Sequence, residues 1–234
     1  MFEDLQQCKQ SAAAEAVARI DNGMTVGLGT GSTSVWAIES LAKRIREGLC
    51  IKAVASSFRS EDQAKKLGIQ VTPFSEVNAI DVYIDGADEI DNNLNLVKGG
   101  GGALLREKIL AFHAKEFIVI ADSSKRVENL GRFPLPVEVV PFGLELTIKQ
   151  LQKLGCTISL RVDNGKAYTT DNRNLIVDCD FKKIENVQQL HDAINSIPGV
   201  VENGLFLKTM VTKVIIGYNK GSVEVNRSRS YQHA

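Results

Sequence analysis

Short apolar runs alternate with helical patterns through the first half of this chain, and that alternation leaves few folds open. Residues 4–20 read as a helix, with Leu5, Cys8, Ala12, Ala16 and Ile20 on one face and Gly23 as its stop. Met24 to Leu28 is a short apolar strand. The pattern then repeats: a helix carrying Ile38, Leu41, Ala42 and Ile45, a strand over 51–55, a helix over 59–67 stopped by Gly68, a strand over 80–84, a helix over 103–114 and a buried strand over 117–121. Strands separated by helices form a parallel sheet covered on both faces. Ligands of such folds bind at the carboxyl ends of the strands. That rule singles out Thr30–Thr33, Asp85–Asp88 and Ser123–Lys125.

The pattern changes near Phe133-Pro134-Leu135-Pro136. A strand over 137–140, a helix over 143–154, strands over 157–160 and 175–180 with another around Ala167, a helix over 187–197 and an extended stretch at 199–201 follow. Strand–helix–strand–strand–helix–strand is the ferredoxin-like split motif. The expected organisation is an α/β catalytic domain from residues 1–133 and 206–234 and a ferredoxin-like lid domain from residues 134–205. Residues 211–217 and 222–225 read as a hairpin around Asn219-Lys220-Gly221 that returns to the first domain, and 227–234 as a frayed polar tail.

Charge excludes whole classes of partner. The 28 basic and 28 acidic residues cancel, so neither nucleic acid nor an acidic lipid surface is an expected partner. No apolar run is long enough to span a membrane, and the polar, acidic N-terminus is no signal peptide. Cys8, Cys50, Cys156 and Cys179 are far apart and form no C-x-x-C pair, which argues against a zinc site or a disulfide framework. Free buried thiols in a reducing compartment are the plain reading, and a cytoplasmic location follows.

Three motifs carry chemistry. The run Lys98-Gly99-Gly100-Gly101-Gly102 exposes bare backbone N–H groups and leads into the helical pattern of Leu104, Leu105 and Ile109, an arrangement suited to an anion or a developing oxyanion. Gly29-Thr30-Gly31-Ser32-Thr33 follows a strand and precedes a helix. It is a phosphate loop or a tight turn in which Ser32, Thr33 or Ser34 caps the helix, and it lacks both the Walker and the full dinucleotide fingerprint. Asp85-Gly86-Ala87-Asp88-Glu89 puts carboxylates at a strand end, where they hold sugar hydroxyls, move protons, bind magnesium or merely form a solvated turn. The absence of histidine among them argues against a transition metal. Glu107 is the candidate base, set against the alternative of an exposed Arg106-Glu107-Lys108 surface. Lys98 is either an oxyanion stabiliser or a solvated lysine, and Lys9 and Lys125 carry little signal by themselves. His113, His191 and His233 lie in no triad-like context.

Together these motifs resemble the type A ribose-5-phosphate isomerases. The resemblance rests on Gly29–Thr33, on Asp85-Gly86-Ala87-Asp88-Glu89-Ile90, on Lys98 through Lys108, on Ser124-Lys125, on Phe133-Pro134-Leu135-Pro136-Val137-Glu138-Val139 and on Lys213-Val214-Ile215-Ile216-Gly217. It covers all but about the last eight residues. It implies a Rossmann-like, mostly parallel α/β domain with a smaller inserted ferredoxin-like α+β lid. It also implies interconversion of ribose 5-phosphate and ribulose 5-phosphate through an enediolate, with no metal or organic cofactor and a homodimeric or homotetrameric assembly. By the same resemblance Glu107 is the catalytic base, and Asp85, Asp88 and Lys98 are polar active-site residues. Lys9, Thr30, Gly31, Ser32, Thr33 and Lys125 take the phosphate and substrate, together with Gly86, Ala87, Gly99, Gly100 and Gly101.

Two rival readings are set against this one. An amino-sugar phosphate deaminase on the same fold would use a catalytic histidine, and no histidine here lies near a glycine or acidic loop. A sugar-phosphate sensor of a transcriptional regulator would carry a DNA-binding segment, and the 23 residues before the first strand offer one helix and no basic helix-turn-helix.

Overall fold

The computed structural model describes residues 4–218 and 221–226. In chain order the elements are α1 (Leu5–Val17), β1 (Thr25–Leu28), α2 (Ser34–Arg46), β2 (Lys52–Ala55), α3 (Phe58–Lys66), β3 (Ile80–Asp85), β4 (Glu89–Ile90), β5 (Leu96–Val97), α4 (Leu104–His113), β6 (Ala114–Asp122), β7 (Leu135–Val139), α5 (Leu144–Gln152), β8 (Thr157–Leu160), β9 (Val162–Asp163), β10 (Lys166–Ala167), β11 (Leu175–Asp180), α6 (Val187–Asn195), β12 (Val200–Asn203), β13 (Leu205–Phe206), β14 (Lys213–Tyr218) and β15 (Gly221–Asn226). Residues 219–220, where the sequence places the hairpin turn, and residues 227–234, the expected frayed tail with His233, lie outside the described residues. The elements group into two compact units. One takes its residues from Met1–Ala87, Arg106–Lys125 and Thr209–Ala234, the other from Asp88–Leu105 and Arg126–Lys208.

The first unit is built on a six-stranded sheet in the order β15-β14-β6-β3-β1-β2. Its strands are parallel except for β15, which pairs antiparallel with β14 at the edge. The sequence dictates this by burying strands on both faces, as a parallel sheet requires. Val26, Leu28, Val82, Ile84, Ile118, Ile120 and Ile215 pack against α1 and α2 through Ala12, Ala13, Ala16, Ile38 and Leu41. The alanines of α1 permit a close approach, and the missing side chain of Gly217 leaves room for the Cys8 carbonyl. Tyr83 and Phe117 point to the other face, where their rings stack at 5.0 Å. Leu110 of α4 comes close to that face at Gly27, where a side chain would collide with Tyr83. Because β1, β2, β3 and β6 run parallel, Gly29–Thr30, Ser56–Ser57, Gly86–Ala87 and Ser123–Lys125 all follow strands on the same sheet edge. That is the edge where ligands of such sheets bind.

The second unit holds an antiparallel sheet in the order β12-β7-β11-β8, with α5 and α6 on the face carrying Leu135, Val137, Val139, Val177 and Cys179. The order and connectivity are those of the split motif read from the sequence. A three-stranded sheet, β13-β5-β4, has no counterpart in the periodicity, because strands of two residues are too short to show alternation. Its β4–β5 turn is closed by Asp91, whose carboxylate accepts the backbone N–H groups of Asn93 and Asn95 at 2.8 Å each.

Glu89 also belongs to this scaffold rather than to any reaction. It is buried, and its two oxygens accept the backbone N–H groups of Gly131 and Phe133 at 2.7 Å each. Glu89→Ala strands both donors. The expected cost is about 2–4 kcal/mol, on the scale of orphaning two buried donors to a charged acceptor, read as a lower urea midpoint. An unchanged midpoint would show that water replaces the carboxylate there.

Candidate functional site

In the first unit the site is organised around Asp85, which ends β3 with no exposed surface. A buried carboxylate is costly unless its lone pairs are filled. Here Oδ1 accepts the Thr30 N–H at 3.0 Å, the Ser34 hydroxyl at 2.8 Å and the Gly86 N–H at 2.7 Å, while Oδ2 accepts the Tyr83 hydroxyl. The strand explains the last bond: residues two apart share a face, so Tyr83 stands beside Asp85. Gly29 must be glycine, since a Cβ there would overlap the Asp85 carboxylate.

The Gly29–Thr33 loop is thereby pinned from below. Thr30 is buried, its hydroxyl 2.8 Å from Ser56 Oγ and 2.7 Å from Ser57 Oγ, and Ser57 in turn forms the capping box of α3 with Ser60. Ser32 is exposed and accepts the Lys9 ammonium at 3.1 Å, so the structure brings Lys9 to this loop. The expected side-chain cap of α2 is absent: Thr33 holds the cap position without a capping bond, and the Ser34 hydroxyl is used on Asp85. Gly31 takes a left-handed conformation, and Gly86 and Ala87 are half-buried beyond Asp85. Lys125 is half-buried in the turn after β6, which Asp122 fixes by accepting the Ser124 N–H at 3.0 Å.

Glu107 lies on α4 and is 2 % exposed, and its neighbour Lys108 is 7 % exposed, which excludes the reading of this stretch as a solvated surface. Burial first, then the charges of Asp85 and Glu107, hold the Tyr83 phenol well above its usual range. The same phenol therefore feels the strand carboxylate and the helix carboxylate at once.

In the second unit the tight β4–β5 hairpin sets two further residues side by side. Glu89 pairs with Val97, so the next step of the antiparallel register puts Asp88 opposite Lys98. The Asp88 N–H donates to the Val97 carbonyl at 2.9 Å, and its carboxylate accepts the Gly100 N–H at 2.8 Å. A side chain on Gly100 would strike that carboxylate. Lys98 is buried with its ammonium 5.3 Å from the centre of the Phe206 ring, a cation–π placement. Arg161 donates to the carbonyls of Gly99 at 2.8 Å and Gly100 at 3.3 Å while paired with Asp178. Gly101 is exposed at the tip of the tract.

Sequence reasoning missed four residues that hold this machinery. Tyr83 carried a usable signal, the two-residue spacing to Asp85 on a strand. Ser34, Ser56 and Arg161 carried none, because each reaches its partner across 51, 26 and 62 positions of chain.

With the geometry in place, comparison with known proteins is direct. Residues 52–221 match the family described as Ribose 5-phosphate isomerase A (phosphoriboisomerase A). A "Ribose-5-phosphate isomerase A" of Bacillus mycoides (strain KBAB4) is 49% identical over 221 residues, covering 94% of this chain and 100% of that one. Among solved structures, ribose 5-phosphate isomerase from Plasmodium falciparum superposes with a TM-score of 0.92 at 37% identity, over 97% of this chain and 100% of the other. A D-ribose-5-phosphate isomerase in complex with phospho-erythronic acid also gives 0.92 at 37% identity, over 96% and 100%.

The contact between Gly29 and Asp85 yields a prediction. Gly29→Ala forces a methyl against the carboxylate, and the overpacking should cost about 1–3 kcal/mol. A depressed melting midpoint and a displaced 29–33 loop in a crystal structure of the variant are the expected readouts. Retention of both would mean that the loop has slack at this point.

Proposed function

The chain belongs to the ribose 5-phosphate isomerase A family, and on that premise we propose how its own residues divide the work of interconverting ribose 5-phosphate and ribulose 5-phosphate. The reaction moves one proton between adjacent carbons. Glu107 takes it from carbon 2 and returns it to carbon 1, and the observation that carries this assignment is its burial on α4 beside Tyr83. The intermediate is an enediolate, whose charge needs a cation and aimed N–H groups. Lys98 supplies the cation, and the backbone of Gly99, Gly100 and Gly101 lines the same loop. Asp85 and Asp88 serve the sugar oxygens, including the opening of the furanose ring. Thr30, Gly31, Ser32 and Thr33 hold the phosphate with Lys9 and Lys125, and Gly86 and Ala87 complete the wall behind Asp85.

Several observations support this division. Lys9 reaches Ser32, and the loop is rigidly tied to the strand that carries Asp85. The relative bound to phospho-erythronic acid holds a ligand with both charges the reading requires, a phosphate and a planar anionic group. Binding the phosphate away from the reacting carbons orients the substrate. We take the working form to be a homo-oligomer, dimer or tetramer, in the cytoplasm. Ile109 and Phe112 are exposed apolar side chains on α4, and no helix of the described residues is long and apolar enough to cross a membrane.

Glu107→Gln keeps size and helix propensity but removes the base. Turnover should fall by about 10²–10⁴-fold with KM little changed, and exchange of the carbon-2 hydrogen with solvent should fall in step. A folded variant with near-normal turnover would remove Glu107 from the mechanism. Lys98 meets the charge requirement without a metal, so exhaustive chelation should leave the rate intact. Loss of activity restored by magnesium would recast Asp85 and Asp88 as ligands.

A further inference from the structure

We propose that Tyr83 is the positioning residue for Asp85: it holds one oxygen of the carboxylate while the Gly29–Thr33 loop helps hold the other, and so commits it to ring opening. The inference rests on the reading above that Asp85 serves the sugar oxygens. The carboxylate is held from two sides. Asp85 Oδ2 accepts the Tyr83 hydroxyl. Ser56 Oγ lies 2.8 Å from Thr30 Oγ1, and the Thr30 N–H donates to Asp85 Oδ1 at 3.0 Å. Tyr83, Ser56 and Asp85 have no exposed surface, and Thr30 is 9% exposed.

Proton counting fixes the direction at the carboxylate. An ionised carboxylate only accepts, so the phenol donates to it. Burial and the two nearby carboxylates keep that phenol protonated, so the donor persists across the working range. With one oxygen held by Tyr83 and the other by three donors, the carboxyl group cannot turn about its own axis. It is aimed by the same loop that grips the phosphate, so a seated phosphate and a correctly aimed Asp85 occur together. Opening the ring breaks the bond between carbon 1 and the ring oxygen. The proton leaving the carbon-1 hydroxyl passes to Asp85 as the carbonyl forms, and the ring oxygen, which keeps the bonding electron pair, receives that proton back. The hold on Asp85 fixes the acceptor for this oxygen-to-oxygen transfer, while the carbon-to-carbon transfer is assigned to Glu107.

The two transfers can be read separately. Ribulose 5-phosphate is open-chain, because its carbon-5 oxygen is esterified, so exchange of its carbon-1 hydrogen with solvent needs Glu107 and no ring opening. Tyr83→Phe keeps the ring stacked on Phe117 and deletes only the hydroxyl. The expected result is a fall of about tenfold in kcat for ribose 5-phosphate, the scale of one lost hydrogen bond to a charged group. KM should change little, and carbon-1 exchange on ribulose 5-phosphate should fall by less than about twofold on the same scale. An equal fall in turnover and exchange, or no fall in either, would overturn the assignment. Failure of the underlying reading shows elsewhere, as exchange surviving in Glu107→Gln or as turnover surviving in Asp85→Asn.

Discussion

One buried carboxylate holds the sheet edge together. Asp85 gathers donors from the loop after β1, from the first residue of α2, from the chain just beyond β3 and from a tyrosine on its own strand. Each bond alone contributes modestly, but loss of the acceptor would strand several buried donors at once. The arrangement constrains its neighbours in return. Position 29 is restricted to glycine, Ser34 is drawn from capping duty, and Thr30 is placed where its amide and hydroxyl belong to the same network. The Gly29–Thr33 loop is thus shaped by a residue more than fifty positions downstream.

The glycine tract is held by a different device. Bare backbone has no side chains with which to fix itself, and Gly99 and Gly102 adopt left-handed conformations. The fixing comes from outside the tract: the Asp88 carboxylate takes the Gly100 N–H, and the Arg161 guanidinium takes two carbonyls while Asp178 holds it in place. A planar guanidinium can do both jobs where an ammonium could not. One amide of the tract is therefore already occupied, which leaves fewer bare N–H groups than the glycine pattern suggests.

Much of this was legible in the sequence, for reasons of period and punctuation. Strands four or more residues long, such as β1, β3 and β6, betray themselves as apolar runs, and glycines at 48 and 68 mark where α2 and α3 stop, whereas α1 ends at Val17, well before the Gly23 expected to stop it. The motif residues were legible because strand ends in a parallel sheet share an edge. The small β13-β5-β4 sheet was invisible, since two-residue strands have no period. The same blindness hid why Asp88 and Lys98 are neighbours: only the hairpin register sets them opposite each other. Glu89 looked like one more acid of a reactive cluster, and its use as a backbone acceptor for Gly131 and Phe133 depends on contacts about forty residues away. Glu107 had the reverse problem. Flanked by Arg106 and Lys108, it resembled an exposed helix face, and only its burial separates the two readings.

The threading of the sheet has a consequence for how the chain comes into being. Strand β14 enters between β6 and β15, and α1 lies against it closely enough that the Cys8 carbonyl fills the space beside Gly217. Helix α1 thus has among its partners a strand some two hundred positions further along the chain. The second unit, by contrast, has all its segments in hand by Lys208. Completing the first unit therefore requires contacts that span nearly the whole described chain, whereas the second requires none beyond residue 208. Long-range closure of this kind is slow and exposes apolar surface on the way.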